Sequence, residues 1–411
     1  MMAYQHDERL DYLDAVRCFA LLMGIVFHAS LSFMPIYIGW AVMDEQTSEV
    51  VPSFVLISHS FRMPLFFLIA GFFSHMSFHR KGLHSFIKSR LMQIGIPLVL
   101  GWFLLRPLLI AGWHIGAESM RGEADILVGL LNGLSSLKTL PHGFLVGTHL
   151  WFLYYLLLIS ATVLSLRFLL GINESLKRKL SAICDRFIEK VLITPWFVFI
   201  MALPSAFGLW FMQHWGIDTP DKSLIPVFAV SFLYGLCFAL GWVLHRQAAL
   251  FERLANLSWT QSIICIASVC LTLVLSQYEG QINLVNYGLI KVTYMFVYAL
   301  TIWSLVRLSI GLCKTFLSKR NALMSYITDA SYWIYLIHLP IVVFLQIAFA
   351  ELPLPWLVKL SSICLITFLI TLLSYDLLVR ASFLGQLLNH KKKASVLYNL
   401  FLKKLRSGRG F

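Results

Sequence analysis

The first long apolar stretch of the chain contains ionisable side chains that could do chemistry inside a membrane. Asp14 and Arg17 stand near its start, and His28 lies eleven positions after Arg17. Eleven positions are close to three turns of an α-helix, so Arg17 and His28 share one face, about 16 Å apart along the axis. A titratable imidazole is costly to bury in a bilayer and is usually functional; the alternative is a histidine satisfied by a neighbouring helix. The pattern favours proton transfer by His28.

A second histidine stands inside an apolar run near the end of the sequence. His338 follows Asp329 by nine positions, at a predicted depth comparable with that of His28. Pro340 removes a backbone hydrogen bond beside it and can bend the helix. The structural alternative is a packed core histidine. We interpret His338 as a second candidate catalytic residue.

Two further pairs stand near the predicted outer ends of their spans. His59 and Arg62 are neighbours on one helix face, and His149 and Trp151 begin another apolar run. The first pair either lines an external substrate cleft or snorkels to the interface. The second pair either anchors an aromatic belt or provides a platform for a sugar ring. We expect these four residues to bind an acceptor molecule.

Arginines at the predicted cytosolic edge could bind phosphate groups. Arg17 beside Asp14, Arg90 and Arg380 present guanidinium groups that suit phosphate bidentately. A long anionic thioester cofactor entering from the cytosol would reach inward about as far as Arg17 lies from His28. His28 could then deprotonate an acceptor hydroxyl, which attacks the acyl carbon. Alternatively, Arg380 pairs with Asp376, four positions earlier. The pattern predicts acyl transfer across a membrane.

The composition is that of a polytopic membrane protein. Hydrophobic residues make up 59% of the 411 positions and charged residues 13%, against about a quarter in soluble domains. The net charge of +13 comes from Lys and Arg in short loops, which indicates topology and not nucleic-acid binding. The seven cysteines include no CxxC pair, so neither a disulfide framework nor a zinc site is expected. No other metal site is expected either.

The apolar runs predict an all-α polytopic membrane protein with about ten transmembrane helices. The predicted spans are 13–38, 52–78, 90–112, 144–170, 191–212, 224–245, 257–277, 284–309, 323–350 and 355–380. Lys and Arg concentrate in alternate loops, which places both termini in the cytosol. We expect a transmembrane domain over residues 1–385 and a basic amphipathic cytosolic tail over residues 386–411. The outer stretch 113–143 could cover a site.

Five motifs in this order resemble the acyltransferase-3 family of integral membrane acyltransferases. They are LDAVR followed by His28, FFLIAGFF around Gly71, SRLMQIGIP with Arg90 and Pro97, HLWFL at 149–153, and YWIYLIHLP ending in His338 and Pro340. The resemblance covers most of the predicted spans. It implies that His28 is the catalytic residue and that Arg17 helps to bind the acyl donor. His338 and Arg62 are further site residues by the same resemblance.

The chain departs from the family pattern at two positions. Ala70 stands where the family usually has Ser before the Gly of FFLIAGFF, so no hydroxyl chemistry is assigned there. Asp376 stands where relatives often have Glu, which shortens the side chain by one methylene.

Within the family, the chain resembles members that succinylate osmoregulated periplasmic glucans. The shared features are HSFRM before FFLIAGFFS, the GIP triplet, HLWFL, and Tyr375 and Asp376 with Arg380. This likeness implies succinyl-CoA as donor, glucose hydroxyls as acceptors, no permanently bound cofactor, and a bacterial inner membrane location. The implied partners are the lipid bilayer and either glucan-synthesis proteins or a second copy of the chain.

Three alternatives remain open. The first is an acetyltransferase that uses acetyl-CoA to modify another envelope polysaccharide. The second is a proton-coupled transporter in which His28 and His338 relay protons, although the sequence shows no evident inverted repeat or paired broken helices. The third is a non-catalytic envelope assembly protein, which would leave the buried histidines unexplained.

Overall fold

The computed structural model describes residues 11–139, 149–194, 196–319, 321–389 and 392–396. Within these ranges the chain forms helices and no β-strand. The α-helices in chain order are α1 (Asp11–Ser30), α2 (Val51–Arg90), α3 (Ile96–Ser119), α4 (Ile126–Ser135), α5 (Trp151–Gly171), α6 (Glu174–Ile193), α7 (Phe197–Trp210), α8 (Phe228–Arg246), α9 (Ala248–Leu254), α10 (Trp259–Ser276), α11 (Tyr287–Phe316), α12 (Ala322–Phe349), α13 (Trp356–Ser374) and α14 (Phe383–Asn389). A π-helical turn, Leu91–Gly95, joins α2 to α3, and another, Tyr375–Val379, follows α13.

The all-α polytopic membrane class predicted from the sequence is confirmed. Eight helical stretches among the described residues are long and apolar enough to cross a membrane. One of them, Val51–Ser119, contains both spans predicted at 52–78 and 90–112. The span predicted at 191–212 forms α7, whose 14 residues are fewer than the roughly 20 that cross a bilayer. The cytosolic placement of both termini stays a prediction.

The first helix is shorter than predicted. α1 ends at Ser30 and continues only as a 3₁₀ turn, Leu31–Phe33, whereas the predicted span ran to residue 38. Pro35 explains this end, because a proline disfavours helical backbone in the residue before it. Met34 is accordingly extended, with φ −64° and ψ 139°. The residues that follow form a loop rather than the outer part of a span.

The basic segment predicted as a cytosolic connection after residue 170 is itself helical. α6 begins after Asn173, whose side chain accepts a hydrogen bond from the backbone N–H of Leu176 at 3.0 Å. Such an N-cap satisfies one of the orphan donors of the first turn. Arg246, at the end of α8, binds Asp185 of α6 at 2.5 Å. The basic residues of this segment therefore lie on an ordered helix.

The chain divides into two compact units, each assembled from separated stretches of sequence. The first unit contains Met1–Ala20, Ser53–Arg90 and Leu145–Arg320. The second unit contains Leu21–Pro52, Leu91–Phe144 and Asn321–Phe411. The residues of the predicted tail beyond 396 lie outside the described residues, and the predicted division at residue 385 stays a prediction.

In the first unit, α2 and α8 cross at a pair of glycines. A Cβ atom on Gly71 would lie 2.0 Å from the carbonyl oxygen of Phe238, and one on Gly241 would lie 1.9 Å from that of Leu68. Glycines at membrane helix interfaces allow backbones to approach this closely. The close approach of α2 and α8 therefore depends on these two glycines.

Gly71→Ala is expected to destabilise the protein, because the added methyl group meets backbone atoms that cannot rotate away. Overpacking of this kind costs about 1–3 kcal/mol or more. The measurement is the apparent Tm of the purified protein in detergent. Gly235→Ala is the matched control, since a Cβ at Gly235 of α8 meets nothing within 4 Å. Equal Tm values for the two variants would contradict the close crossing.

In the second unit, α3 and α12 run in the same direction. Near their starts, the Tyr332 hydroxyl donates to the carbonyl oxygen of Gln93 at 2.6 Å. Further along, a Cβ on Gly112 would lie 2.7 Å from Cγ1 of Val343. Residue numbers therefore rise together along the two helices. This parallel packing sets the depth at which side chains of α3 and α12 face each other.

Candidate functional site

The second unit brings together the two histidines that the sequence singles out. The ring centroids of His28, on α1, and His338, on α12, lie 5.4 Å apart. The His28 ring also stacks on Trp40, with centroids 5.8 Å apart and planes 12° apart. His338 is buried, whereas His28 remains partly exposed. The arrangement pairs a reachable imidazole with a buried one.

The hydrogen bonds of His338 define which of its nitrogens has the proton. Its Nδ1 lies 2.8 Å from the carbonyl oxygen of Tyr335 and 3.2 Å from that of Ile334. A carbonyl oxygen only accepts hydrogen bonds, so Nδ1 must be the donor. In the neutral ring, Nε2 then has the lone pair and acts as an acceptor. The backbone of α12 thus orients His338 and sets its tautomer.

Gln346 connects His28 to Trp40. Its side-chain nitrogen donates to the carbonyl oxygens of His28, at 2.9 Å, and Ala29, at 3.0 Å. Its side-chain oxygen accepts from Trp40 Nε1 at 2.9 Å. Carbonyls at a helix end need such partners, because they have no intrahelical donor. Gln346 is 1% exposed. Its three hydrogen bonds therefore hold the end of α1 and the Trp40 indole from inside the second unit.

Gln346→Leu is expected to lower kcat of the catalysed reaction about 10- to 100-fold, because a small misplacement of reacting groups has effects of this size. The substitution removes three hydrogen bonds that position His28 and Trp40 while keeping a similar volume. Steady-state kinetics of the purified variant measure the effect. Gln277→Leu, at the exposed end of α10, is the control and should match wild type. A wild-type kcat for Gln346→Leu would contradict a positioning role.

Two tryptophans form a partly exposed aromatic surface beside His28. Trp113 of α3 meets Trp40 edge to face, with centroids 5.1 Å apart. Trp113 Nε1 also donates to the carbonyl oxygen of Gly39 at 3.3 Å. Aromatic faces with one polar edge suit ligands that have both apolar and hydrogen-bonding surfaces. The Trp40–Trp113 pair, called the tryptophan pair below, could therefore contact a substrate next to His28.

A buried ion pair fixes the loop that contains Trp40. Lys359 Nζ lies 2.7 Å from Asp44 Oδ1, and the two side chains are 0% and 1% exposed. Lys359 also donates to the carbonyl oxygen of Ala350 at 2.9 Å. Burial raises the pKa of Asp44, and its hydrogen bond with Lys359 opposes that rise. The pair joins the loop after α1 to the end of α12 and the start of α13.

Of the predicted donor-binding residues, three lie in the first unit. Arg17 pairs with Asp14 at 3.4 Å, and their side chains are 40% and 32% exposed. Arg90 donates to Ser74 Oγ at 2.5 Å and lies over the ring of Phe86. Arg17 and Asp14 therefore remain partly accessible, while Arg90 binds Ser74 across the break in the helix at Gly82.

Arg380, the fourth predicted donor-binding residue, lies in the second unit. Its Nε lies 3.9 Å from Asp376 Oδ1, so the predicted pair is present. The same Nε donates to the carbonyl oxygen of Ala394 at 2.9 Å. Asp376 in turn accepts from Ser395 Oγ at 2.6 Å and from the backbone N–H of Val396. These bonds attach the segment 392–396 to the end of α13.

The predicted acceptor-binding residues all lie in the first unit, and two of them, Trp151 and Arg62, lie near Tyr234. Trp151 stacks on Tyr234 with centroids 5.9 Å apart. Arg62, 6% exposed, lies close enough to Tyr234 and His59 for electrostatic interaction. His59 Nε2 lies 3.0 Å from the carbonyl oxygen of Ile217. His149 is also buried. Packing within the first unit therefore accounts for the position of some of these residues without a bound acceptor.

Sequence reasoning missed several residues of potential chemical importance. Trp40, Trp113 and Gln346 gave no signal, because only the fold brings them to His28. Arg106 did give one, as an arginine inside the predicted span 90–112. In the first unit, the Nδ1 atoms of His75 and His245 lie 2.8 Å apart. The ring centroids of His75 and His79 lie 4.3 Å apart. The spacing of four between His75 and His79 could have indicated a shared helix face.

Comparison with known proteins identifies the family of the chain. The profile of a family described as an acyltransferase domain, of the acyltransferase-3 type, matches residues 10–376. Glucans biosynthesis protein C from the Escherichia coli strains SMS-3-5 and HS is 28% identical over 342 residues, covering 82% of this chain and 83% of the relative. No solved structure matches this chain. Because the profile spans nearly the whole chain, this multi-pass membrane protein belongs to the acyltransferase-3 family.

Proposed function

We propose that this membrane acyltransferase moves a succinyl group from succinyl-CoA to a glucose hydroxyl of a periplasmic glucan, with His28 as general base. The observation that supports this proposal most directly is the placement of a partly exposed His28 against Trp40 and the buried His338. The similarity to Glucans biosynthesis protein C supports a glucan as acceptor. The bacterial inner membrane, where cytosolic donor and periplasmic acceptor meet, is the proposed location.

The reaction conserves atoms and charge without a metal or a bound cofactor. His28 takes the proton of the acceptor hydroxyl as its oxygen attacks the thioester carbon. The carbon–sulfur bond breaks, and the thiolate of CoA leaves with the proton that His28 returns. His338, whose Nε2 is an acceptor in the neutral ring, would accept the other N–H of His28 and stabilise the imidazolium. The products are a glucan ester and free CoA.

A variant of this mechanism makes His28 a transient acyl carrier. An acyl-histidine intermediate would leave label on the protein when donor is present without acceptor. Direct transfer leaves none. Rapid quenching with radiolabelled donor distinguishes the two.

The remaining predicted residues keep the roles that the sequence suggests for them. We propose that Arg17 with Asp14, Arg90 and Arg380 bind the phosphates of the donor, as guanidinium groups do. We propose that His59, Arg62, His149 and Trp151 bind the glucan. The tryptophan pair is a further candidate contact for a glucose ring beside His28, because both indoles are partly exposed.

Purified protein in detergent, given radiolabelled succinyl-CoA or acetyl-CoA with extracted periplasmic glucan, tests the proposal. We expect label in the glucan from succinyl-CoA and little from acetyl-CoA. Label from acetyl-CoA alone would show that the protein is an acetyltransferase, and the proposed mechanism would still apply. No transfer from either donor, together with proton-coupled uptake into proteoliposomes, would contradict the proposed acyl transfer and favour a transporter.

A further inference from the structure

Arg106 of α3 is a buried cation for which the described residues supply no anion. Arg106 is 8% exposed. Its guanidinium carbon lies 4.7 Å from the centroid of the Trp102 ring. Its Nη1 is buried and has no hydrogen-bond partner among the described residues. No ion pair of the described residues includes it. A charge in this position is costly unless an anion joins it.

Arg106 lies on the face of α3 that points towards the tryptophan pair. Trp113 follows it by seven positions, which is close to two helical turns, so the two side chains share a face. Leu109, one turn after Arg106, belongs to a buried cluster with Leu339 and Val343 of α12, against which Trp40 and Trp113 pack. The face that contains Arg106 is therefore directed into the second unit, towards α12.

Arg106 and His338 also match in depth. Leu339, the neighbour of His338, packs in the same cluster as Leu109, so Arg106 lies within about one turn of the level of His338. Long side chains on a helix point back towards its N-terminus. The Arg106 side chain points back over Trp102, and the His338 side chain points back towards Ile334 and Tyr335. Since α3 and α12 are parallel, the guanidinium and the imidazole lie at similar depths.

We propose that Arg106 binds the free carboxylate of a dicarboxylic acyl group while its thioester end lies at His28. This inference rests on the proposed function and names the group that selects succinyl over acetyl. A succinyl chain places a carboxylate two methylenes from the carbon that reacts, and an acetyl group places none. A guanidinium donates charge-assisted hydrogen bonds to a carboxylate, and the buried Nη1 is one donor that such a carboxylate would satisfy. The donor would thus bring the missing anion.

Kinetics of Arg106→Gln and Arg106→Lys with succinyl-CoA and acetyl-CoA test this site. We expect Arg106→Gln to lower the ratio of kcat/KM for succinyl-CoA over acetyl-CoA about 10- to 100-fold, the range for a hydrogen-bonded charge. The loss should appear mainly as a higher KM for succinyl-CoA. Arg106→Lys should recover part of the ratio. Arg121→Gln, whose side chain is 70% exposed, is the control and should keep the wild-type ratio.

A binding measurement separates this inference from the proposed function. Succinyl-CoA should raise the Tm of wild type more than acetyl-CoA does, and Arg106→Gln should abolish the difference. If wild type transfers no label but shows this Arg106-dependent difference, the carboxylate site stands and the proposed reaction fails. An unchanged donor ratio in Arg106→Gln, or equal stabilisation of wild type by both donors, would overturn the site.

Discussion

Replacing His28 by Ala is expected to lower kcat/KM for acyl transfer by about 10²- to 10⁴-fold, the usual contribution of a general base. In the proposed mechanism the imidazole takes the acceptor proton, and it is partly exposed and lies against Trp40 and His338. The fold should persist, because Gln346 binds the backbone of residue 28 rather than its side chain. Initial rates with saturating glucan and varied succinyl-CoA measure the change.

His214→Ala is the control for this substitution. His214 is 78% exposed, in the loop before α8, and its loss should leave kcat/KM at the wild-type value. The kcat/KM of His338→Gln should fall between those of the two variants, since in the proposed mechanism His338 acts on His28 rather than on the substrate. Wild-type activity in His28→Ala, with donor and acceptor both confirmed, would remove His28 from the mechanism.

Replacing Lys359 by Met is expected to lower the free energy of unfolding by about 3–5 kcal/mol, the usual effect of breaking a buried ion pair. The change leaves Asp44 buried without its cation, and both side chains are almost fully enclosed. Burial already raises the pKa of Asp44, so the orphaned carboxyl should take up a proton. Thermal unfolding in detergent, followed by the loss of monodisperse protein, measures the effect.

Two comparisons complete the Lys359 experiment. Lys222→Met, at an exposed loop position, should change the Tm little. Asp44→Asn combined with Lys359→Met should recover part of the loss, because no charge is then left buried. A Tm for Lys359→Met equal to that of wild type would contradict the buried pair.

Hydropathy alone located most of the helices. Long apolar runs have few alternatives in a membrane, where every backbone group must be satisfied within the segment. The errors arose where local sequence opposes the apolar pattern. Pro35 ends the first helix before residue 38, and a basic run predicted as a connection forms α6 from Asn173 onwards.

The candidate site was only partly predictable. His28 and His338 stood out because ionisable groups are expensive inside a membrane, and the sequence placed them at comparable depth. Their proximity is a finding of the structure. Trp40 and Gln346 could not be found in this way. Their importance depends on contacts between residues 306 positions apart in sequence, which no local pattern encodes. Arg106 meets the same criterion as His28, because it is an ionisable residue inside an apolar run.

The division into two units also has no signature in the sequence. Ala20 and Leu21 are neighbours on α1 and fall in different units. Only packing between distant segments decides such a boundary. The predicted residues accordingly separate, with His28, His338 and Arg380 in the second unit and Arg17, Arg90, Arg62 and Trp151 in the first.

We propose that His28 deprotonates the acceptor hydroxyl, so that an acyl group passes from a donor on one side of the membrane to a hydroxyl on the other. The most direct measurement uses sealed, inside-out vesicles with radiolabelled succinyl-CoA outside and periplasmic glucan trapped in the lumen. Wild type and His28→Ala are compared side by side. We expect labelled glucan in the lumen with wild type and only background label with His28→Ala. Equal lumenal label with both proteins, or label only on acceptors added outside, would contradict it.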